Sequence, residues 1–306
     1  RRMRRYDPDD FIRLRDFLVE TYPRLPKPTN RTIERWNFSV SVARIMNGVT
    51  LHEWESDIAI WEEAGEILAV VNSEGEARGE AFVQVARLDL RETVLDEMFG
   101  FIETNLGEEE DDGTRTIHLR IPMAASQMAT MAAARGYTRQ PHTSRVAIRP
   151  VGAELPVELP AGFTFADGNA VTPVKKGLAH ARAFGYYDES RVHRERAPIA
   201  FHAMTMSPGY RPDLDLHVRA PDGEVAAFAT LWYDRQNRIG ILEPVGTVPP
   251  YRRMGLGRAC IAQLTNQVRE EDAEAIHVGS DQPFYLRLGF EPLDKYTLWQ
   301  KTVRSH

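Results

Sequence analysis

The sequence predicts an α/β (α+β) protein built from two similar domains in tandem. The first observation is a pair of predicted β-hairpins, one in each half of the chain: residues 65–71 with 81–85, and residues 214–218 with 225–231. The second is that each half then continues with a strand, a helix, a glycine-aromatic pair and another strand. The same order of elements therefore occurs twice, which indicates an internal repeat.

The later elements of the two copies correspond one to one. Short β-branched runs predict the strands, and a glycine before an aromatic residue is typical of a helix end followed by a strand. The first copy comprises residues 117–121, an alanine-rich helix, Arg135-Gly136-Tyr137 and residues 144–148; the second comprises Ala275-Ile276-His277-Val278, a helix, Gly289-Phe290 and residues 296–299.

A stretch with linker character separates the copies. Residues 149–156, Arg-Pro-Val-Gly-Ala-Glu-Leu-Pro, are rich in proline and glycine. A chain of 306 residues is long enough for two domains. We therefore expect one domain over residues 1–150 and a second over residues 151–306.

Composition excludes several classes of protein. The formal charge of −6 argues against a partner that is bound through its phosphates, so no nucleic acid is expected. Cys260 is the single cysteine, which excludes an intramolecular disulfide and a multi-cysteine metal site. It lies in an apolar helical pattern with Ile261 and Leu264, which predicts core packing.

The chain carries no pattern typical of a membrane segment or a metal site. No run approaches the roughly 20 apolar residues needed to cross a bilayer. The basic residues 1–5 precede Asp-Pro-Asp-Asp and no apolar core, so we expect no secretory signal and a cytoplasmic protein. The histidines show no metal-ligand spacing and no Gly-x-Ser-x-Gly motif occurs, so neither a metal nor a covalent enzyme intermediate is expected.

The loop over residues 245–258 has the composition of a pyrophosphate-binding turn. A β-branched strand end meets Pro249-Pro250, and a basic turn with Gly255 and Gly257 then opens a helix near Arg258. Glycines allow close approach of the backbone, and the N–H groups and dipole of a helix N-terminus favour an anion. The spacing fits neither a Walker loop nor GxGxxG.

This loop resembles the acetyl-CoA signature of the GNAT N-acyltransferase family, Arg/Gln-x-x-Gly-x-Gly/Ala. Here it is Arg252-x-x-Gly255-x-Gly257, and the family's second signature follows downstream as Tyr285-x-x-x-Gly289-Phe290. The resemblance implies acetyl-CoA as co-substrate and two tandem GNAT-like domains. Each would be a mixed, mostly antiparallel sheet flanked by helices. The tandem arrangement resembles mycothiol synthase-like enzymes and antibiotic N-acetyltransferases.

The resemblance also implies which residues hold the cofactor. The strand end offers its amides to the pantetheine arm, and the loop with the helix start holds the pyrophosphate. One departure is that Val278 and Ser280-Asp281-Gln282 stand where members often carry an asparagine that contacts the cofactor. The expected cofactor-binding residues are Val245, Gly246, Thr247, Val248, Arg252, Arg253, Met254, Gly255, Leu256, Gly257 and Arg258.

Two side chains are candidates for the proton transfers. An alkylammonium acceptor has a pKa of about 10.4, so acyl transfer to an amine needs a base, and the departing thiolate needs an acid. Glu243 is the only carboxylate on the strand that enters the loop, and the family often places its general base there. The resemblance implies that Tyr285, by its position in the second signature, is the general acid, and Asp234 is a weaker candidate base.

The acceptor is less well specified. Tyr186, Tyr187 and Asp188 form an aromatic and acidic cluster suited to a cationic amine, although an amphipathic helix followed by a polar loop explains them equally well. A primary amine of a small molecule is the leading expectation. Protein or peptide amines, another acyl-CoA, and a non-catalytic acyl-CoA-binding or regulatory module remain alternatives. The sequence does not specify the oligomeric state.

The first half lacks these signatures. Setting Gly136 against Gly289 places Ala132 where Tyr285 stands, and no Arg/Gln-x-x-Gly-x-Gly occurs in residues 1–150. The corresponding region, residues 89–95, opens with acidic side chains, which disfavour a pyrophosphate. We therefore expect a degenerate, non-catalytic GNAT-like domain followed by a catalytic one.

Overall fold

A computed structural model describes residues 2–76 and 79–304. The chain divides into two compact units, Arg1–Val146 with Leu293–His306, and Ala147–Pro292. In each unit one parallel strand pair interrupts an otherwise antiparallel sheet, and helices pack on it. The predicted α/β (α+β) class is confirmed.

The first unit contains most of the small helices. Its sheet has the order β1-β2-β3-β4-β6-β13, and β5 pairs with β6. Only β4 and β6 run parallel, with Glu80 opposite His118 and Phe82 opposite Arg120. The elements are β1 (Arg2–Arg5), α1 (Asp10–Thr21), α2 (Ile33–Phe38), α3 (Arg44–Met46), α4 (Leu51–Ser56), β2 (Ala59–Glu63), β3 (Glu66–Asn72), β4 (Glu80–Val85), α5 (Glu92–Asn105), β5 (Glu108–Glu109), β6 (Thr114–Pro122), α6 (Ser126–Ala134), the start of β7 (Thr138–Pro150) and β13 (Glu291–Arg304).

The last strand of the chain completes the first unit. Strand β13 pairs antiparallel with β6 over nine residue pairs, from Tyr296 opposite Pro122 to Arg304 opposite Thr114. Its Trp299 joins the core that α5 forms with the sheet. The sequence predicted this strand within the second domain. The local pattern predicts a strand correctly, but it carries no information about the partner.

The second unit has the sheet order β12-β11-β10-β9-β8, and the end of β7 lies next to β12. Strands β11 and β12 run parallel, and the other pairs run antiparallel. The elements are β8 (Thr164–Ala166), α7 (Pro173–Ala183), α8 (Arg191–Thr205), β9 (Asp215–Arg219), β10 (Val225–Asp234), β11 (Ile239–Thr247), α9 (Leu256–Arg269), β12 (Ala275–Val278) and α10 (Pro283–Arg287).

The two faces of the second sheet carry different side chains. Odd-numbered residues of β10, such as Leu231, pack with Cys260 and Leu264 of α9. Phe228, an even-numbered residue of β10, packs with Ala179 of α7. This alternation follows from the two-residue period of a strand. It places α9 on one face and α7 on the other.

Several sequence expectations can be compared with these elements. Both predicted hairpins are confirmed as β3–β4 and β9–β10. The boundary falls between Val146 and Ala147, a few residues before the expected linker, and the second unit ends at Pro292 because β13 belongs to the first. Cys260 is fully buried, as predicted, and its burial raises the pKa of the thiol to about 12. No helix within residues 2–76 and 79–304 has the length and apolar character to span a bilayer.

Candidate active site

The centre of the site is an opening between β11 and β12. Along β10 the register shifts so that two residues, Glu243 and Pro244, stand opposite the single residue Thr230. Such a bulge bends the strand. Strand β12 stays paired with β11 only as far as Leu242 opposite Val278. Beyond that point the described chain places no strand against this edge of β11, so the two strands part.

The edge of β11 along this opening offers backbone amides. The N–H of Val248 donates to the carbonyl of Ala226 (2.9 Å), and the register places Gly246 opposite Phe228. Hydrogen-bonded and non-bonded pairs alternate along an antiparallel ladder, so Val248 and Gly246 direct their backbone groups at β10. Val245 and Thr247 therefore direct theirs into the opening. Of the four residues whose amides are expected from the sequence to bind the cofactor, Val245 and Thr247 are the two that face the opening.

Gly246 is required by a close contact. A Cβ atom there would lie 2.5 Å from Cζ of Phe228 and 3.0 Å from Cβ of Ala183. The ring of Phe228 thus lies directly against strand β11. Gly257 is a second close approach: a Cβ atom there would lie 3.3 Å from Cζ of Phe284 and 3.5 Å from Oγ1 of Thr247, so the start of α9 lies against β11 and α10.

The loop between β11 and α9 presents the start of the helix. Pro249–Tyr251 form a 3₁₀ turn, and Arg253 and Gly255 both have left-handed backbones, with φ of 67° and 80°. No side chain caps α9 at Gly255. The first N–H groups of this 14-residue helix are therefore free for an anion. The helix begins at Leu256, two residues before the predicted start.

The basic residues of the loop fall into two groups. Arg252 donates hydrogen bonds to the carbonyls of Thr247 (3.2 Å) and Ala183 (2.8 Å), so it ties the loop to β11 and α7. Arg253 and Arg258 are exposed and form no ion pair within the described ranges. Met254 is also exposed, whereas Leu256 and Gly257 are buried.

Tyr285 lies in α10 and is nearly buried, at 8% exposure. Its ring packs edge-on against Phe284 and Phe290, with centroids 5.0 Å and 5.9 Å away. Gly289, at φ of 87°, ends the helix as predicted, and Gln282 is the N-cap residue. Burial, and secondly the negative charge of Glu243, raises the pKa of Tyr285 to about 12. The hydroxyl therefore carries its proton throughout the physiological range.

Glu243 is half-buried at the bulge. Its backbone carbonyl accepts a hydrogen bond from Nε1 of Trp232 (2.9 Å), which is 1% exposed. Leu242, the residue before Glu243, lies in the same core cluster as Tyr285, and the charge of Glu243 contributes to the raised pKa of Tyr285. Asp234 instead accepts hydrogen bonds from the backbone and side chain of Asn237, so it shapes the β10–β11 turn.

The three acceptor candidates lie in the connection between α7 and α8. The hydroxyl of Tyr186 hydrogen-bonds Nδ1 of His180 (2.7 Å), and Tyr187 lies beneath the guanidinium of Arg182, 4.5 Å from its ring centroid. Asp188 is exposed. His180 stacks on Phe184, and burial lowers the pKa of this histidine to about 3, so it is neutral. The structure thus builds an aromatic cluster with one exposed carboxylate beside it.

Comparisons with known proteins agree with this geometry. Residues 181–290 match the model of the acetyltransferase (GNAT) family. A comparison with curated protein sequences gives no significant match. A GCN5-related N-acetyltransferase from Sphaerobacter thermophilus is 16% identical, with 99% of this chain and 96% of that chain covered and a TM-score of 0.59. A tandem GNAT protein from the clavulanic acid biosynthesis pathway is 13% identical over 98% of both chains, with a TM-score of 0.63.

A third similar structure extends the fold comparison. The N-myristoyltransferase of Saccharomyces cerevisiae is 14% identical, over 99% of this chain and 80% of that one, with a TM-score of 0.53. At these identities the structures establish the fold, and the family model adds the class of chemistry. Residues 181–290 thus match the acetyltransferase (GNAT) family, and this match indicates acyl-CoA-dependent N-acetyltransfer by the second unit.

Proposed function

We propose that the second unit transfers an acetyl group from acetyl-CoA to a primary amine of a small molecule, by direct attack of the amine on the thioester. One observation carries this proposal. Glu243 directly follows Leu242, which shares a core cluster with Tyr285, at the point where β11 leaves β12, and the outward amides of Val245 and Thr247 follow from the same point. A base, an acid and a strand edge for the cofactor thus converge at one opening.

The cofactor fits the loop in parts. The N–H groups at the start of α9 suit the pyrophosphate, and the exposed side chains of Arg253 and Arg258 add positive charge. The carbonyl of Val245 and the N–H and carbonyl of Thr247 suit the peptide groups of the pantetheine arm, which would extend the sheet edge. A cofactor that runs from the start of α9 along the edge of β11 would bring its thioester toward Glu243 and Tyr285.

The reaction then has three proton-coupled steps. Glu243 removes a proton from the ammonium of the acceptor, directly or through water, and the amine nitrogen attacks the thioester carbon. A backbone N–H at the bulge, from Val245, stabilises the oxyanion, since Pro244 has no N–H to donate. The nitrogen of the tetrahedral intermediate gives up a second proton to solvent, the intermediate collapses, the carbon–sulfur bond breaks, and Tyr285 protonates the CoA thiolate. Solvent reprotonates Tyr285.

The acceptor side supports a cationic small molecule. Tyr186 and Tyr187 present aromatic surfaces, and Asp188 offers a carboxylate in the same connection. Aromatic faces and carboxylates attract ammonium groups. The similar tandem protein is described as coming from the clavulanic acid biosynthesis pathway, and a pathway that makes a small molecule favours a small-molecule acceptor.

A CoA-release assay tests the proposed function. The full chain is incubated with acetyl-CoA and a panel of polyamines, aminoglycosides, amino sugars, amino acids and peptides. We expect release of one CoA for each acetylated amine on at least one small molecule, with Glu243→Gln lowering the rate about 10²–10⁴-fold. Acetyl-CoA binding without turnover on any member would favour the non-catalytic module. Turnover on peptides alone would favour a protein N-acetyltransferase.

We propose further that the first unit binds no acetyl-CoA. Its parallel strands β4 and β6 also part after Phe82, and Val85 then directs its backbone away from β3, because the next residue, Ala86, donates to the carbonyl of Leu68 (2.9 Å). The side-chain amide of Asn30 occupies that edge. It donates to the Val85 carbonyl (2.8 Å) and accepts from the Val85 N–H (2.9 Å).

These two bonds are the kind that a pantetheine amide would make. Ala132, which corresponds to Tyr285 in the sequence, is fully buried in α6 and offers no acid. Calorimetric titration of the full chain is therefore expected to give one acetyl-CoA site. Gly257→Asp, which puts a negative charge at the start of α9, should abolish binding, whereas Asn30→Ala should leave the single site unchanged in affinity. Two sites, or residual binding in Gly257→Asp, would overturn this assignment.

A further inference from the structure

A buried polar cluster lies on the α7 side of the second sheet, outside the residues assigned to the cofactor and to proton transfer. Asp215 of β9 is its centre, at 1% exposure. One carboxylate oxygen, Oδ2, lies 2.8 Å from Nζ of Lys176 on α7 and accepts the hydroxyl proton of Tyr210. The other, Oδ1, accepts a hydrogen bond from the Thr230 hydroxyl (2.8 Å).

The cluster is rigidly enclosed. Lys176 is 3% exposed and also donates to the Tyr210 hydroxyl (3.0 Å), so the three groups form a closed triangle. A Cβ atom on Gly168 would lie 2.4 Å from that hydroxyl, so the backbone of Gly168 covers this side of the cluster closely. A closed, internally bonded charge pair of this kind specifies a geometry more than it binds a molecule.

Two members of the cluster, Thr230 and Tyr210, each connect Asp215 to the bulge that carries Glu243. Thr230 is the residue that faces the two-residue insertion Glu243-Pro244 across the β10–β11 ladder. Tyr210 packs against the indole of Trp232, with ring centroids 6.1 Å apart, and that indole donates to the Glu243 carbonyl. Asp215 therefore connects to the bulge by two separate routes.

We propose that Asp215 is a positioning residue for the acyl transfer: held by Lys176, it fixes Thr230 and the Tyr210–Trp232 pair, and these fix the bulge that carries Glu243. This inference rests on the proposed function, because Asp215 would act through Glu243, the proposed base. Misplacement of a catalytic group by about 1 Å costs up to about 10²-fold in rate. Loss of the cluster should thus lower kcat without weakening the cofactor site.

Asp215→Asn in the full chain tests the proposal. We expect kcat to fall about 10–100-fold, while KM for acetyl-CoA changes less than about twofold. Tyr210→Phe keeps the ring against Trp232, so its kcat should fall less than that of Asp215→Asn.

Folding stability provides a second measurement. The double variant Lys176→Met with Asp215→Asn removes both charges. It should therefore be more stable than Lys176→Met alone, which leaves the Asp215 carboxylate uncompensated. Asp213→Asn, two residues away and paired with Arg211 at the surface, is the matched control.

A double-variant cycle separates this inference from the proposed function. Because Asp215 acts through Glu243, Asp215→Asn should add less than about threefold to the loss in Glu243→Gln. Rates are referred to the concentration of acetyl-CoA-binding sites, so unfolded protein does not count. If Glu243→Gln itself has normal kcat, the base assignment fails. If Glu243→Gln is impaired but Asp215→Asn is normal, or the two losses multiply, the positioning role is wrong.

Discussion

Tyr285→Phe is expected to lower kcat about 10²–10⁴-fold while leaving the affinity for acetyl-CoA unchanged. The substitution removes one hydroxyl and retains the ring that packs between Phe284 and Phe290. The hydroxyl donates no hydrogen bond to any residue within the described ranges, so its loss leaves no buried partner unsatisfied. Stopped-flow or steady-state CoA release measures kcat, and calorimetry measures affinity.

The pH dependence provides a second test of the same group. Burial and the charge of Glu243 raise the Tyr285 pKa to about 12, and the acid form exists below that value. The kcat profile of the unmodified chain should therefore show no falling limb near pH 10, where an ordinary phenol ionises. Tyr233→Phe is the matched control, since Tyr233 is a buried tyrosine of the same unit that bonds the Glu271 carbonyl. Equal kcat in Tyr285→Phe and the unmodified chain would remove Tyr285 as the acid.

Trp299→Ala is expected to destabilise the first unit by about 3–5 kcal/mol. This holds although Trp299 follows the second unit in the chain, within residues 293–306. Its ring is 7% exposed in the core of the first unit, and its Nε1 donates to Oγ1 of Thr297 (2.8 Å). Strand β13 contributes nine residue pairs to β6, so the effect should spread along both strands.

Hydrogen exchange locates the damage. Amides of β6 and α5 should lose protection in Trp299→Ala, whereas amides of β11 and α9 should keep theirs. Trp299→Phe keeps most of the buried area and should cost much less. Loss of protection in β11 and α9 with none in β6 would show that the last strand serves the second unit, as the sequence had predicted.

Local chemistry explains what the sequence predicted correctly. The turn at Gly255 and the helix end at Gly289 require left-handed backbones, with φ of 80° and 87°, and glycine adopts these without strain. Gly246 and Gly257 lie where a Cβ atom would collide with Phe228 or crowd Phe284. Such requirements act over a few residues, so the pattern of glycines indicates them directly.

Non-local pairing accounts for what the sequence could not predict. The partner of β13 lies more than 170 residues earlier in the chain, and a period-two pattern fits either unit equally well. Arg252 remains a predicted cofactor contact, and the bonds of its guanidinium to the carbonyls of Thr247 and Ala183 could not be predicted from the loop pattern. No sequence pattern marks Trp232 or Asp215 as part of the site, because their connection to Glu243 exists only once β9, β10 and β11 are paired in register.

The amide of Asn30 has a consequence for how the two units respond to the cell's supply of acetyl-CoA. A ligand that binds a folded site stabilises it by RT ln(1 + [L]/Kd), about 2.7 kcal/mol at a hundredfold excess over Kd. The second unit gains this stabilisation and loses it when the cofactor is scarce. The first unit carries its strand-edge partner within its own covalent chain, as Asn30 against Val85. If the first unit binds no acetyl-CoA, as proposed, acetyl-CoA stabilises the second unit alone, and the stability of the first does not depend on the supply of this cofactor.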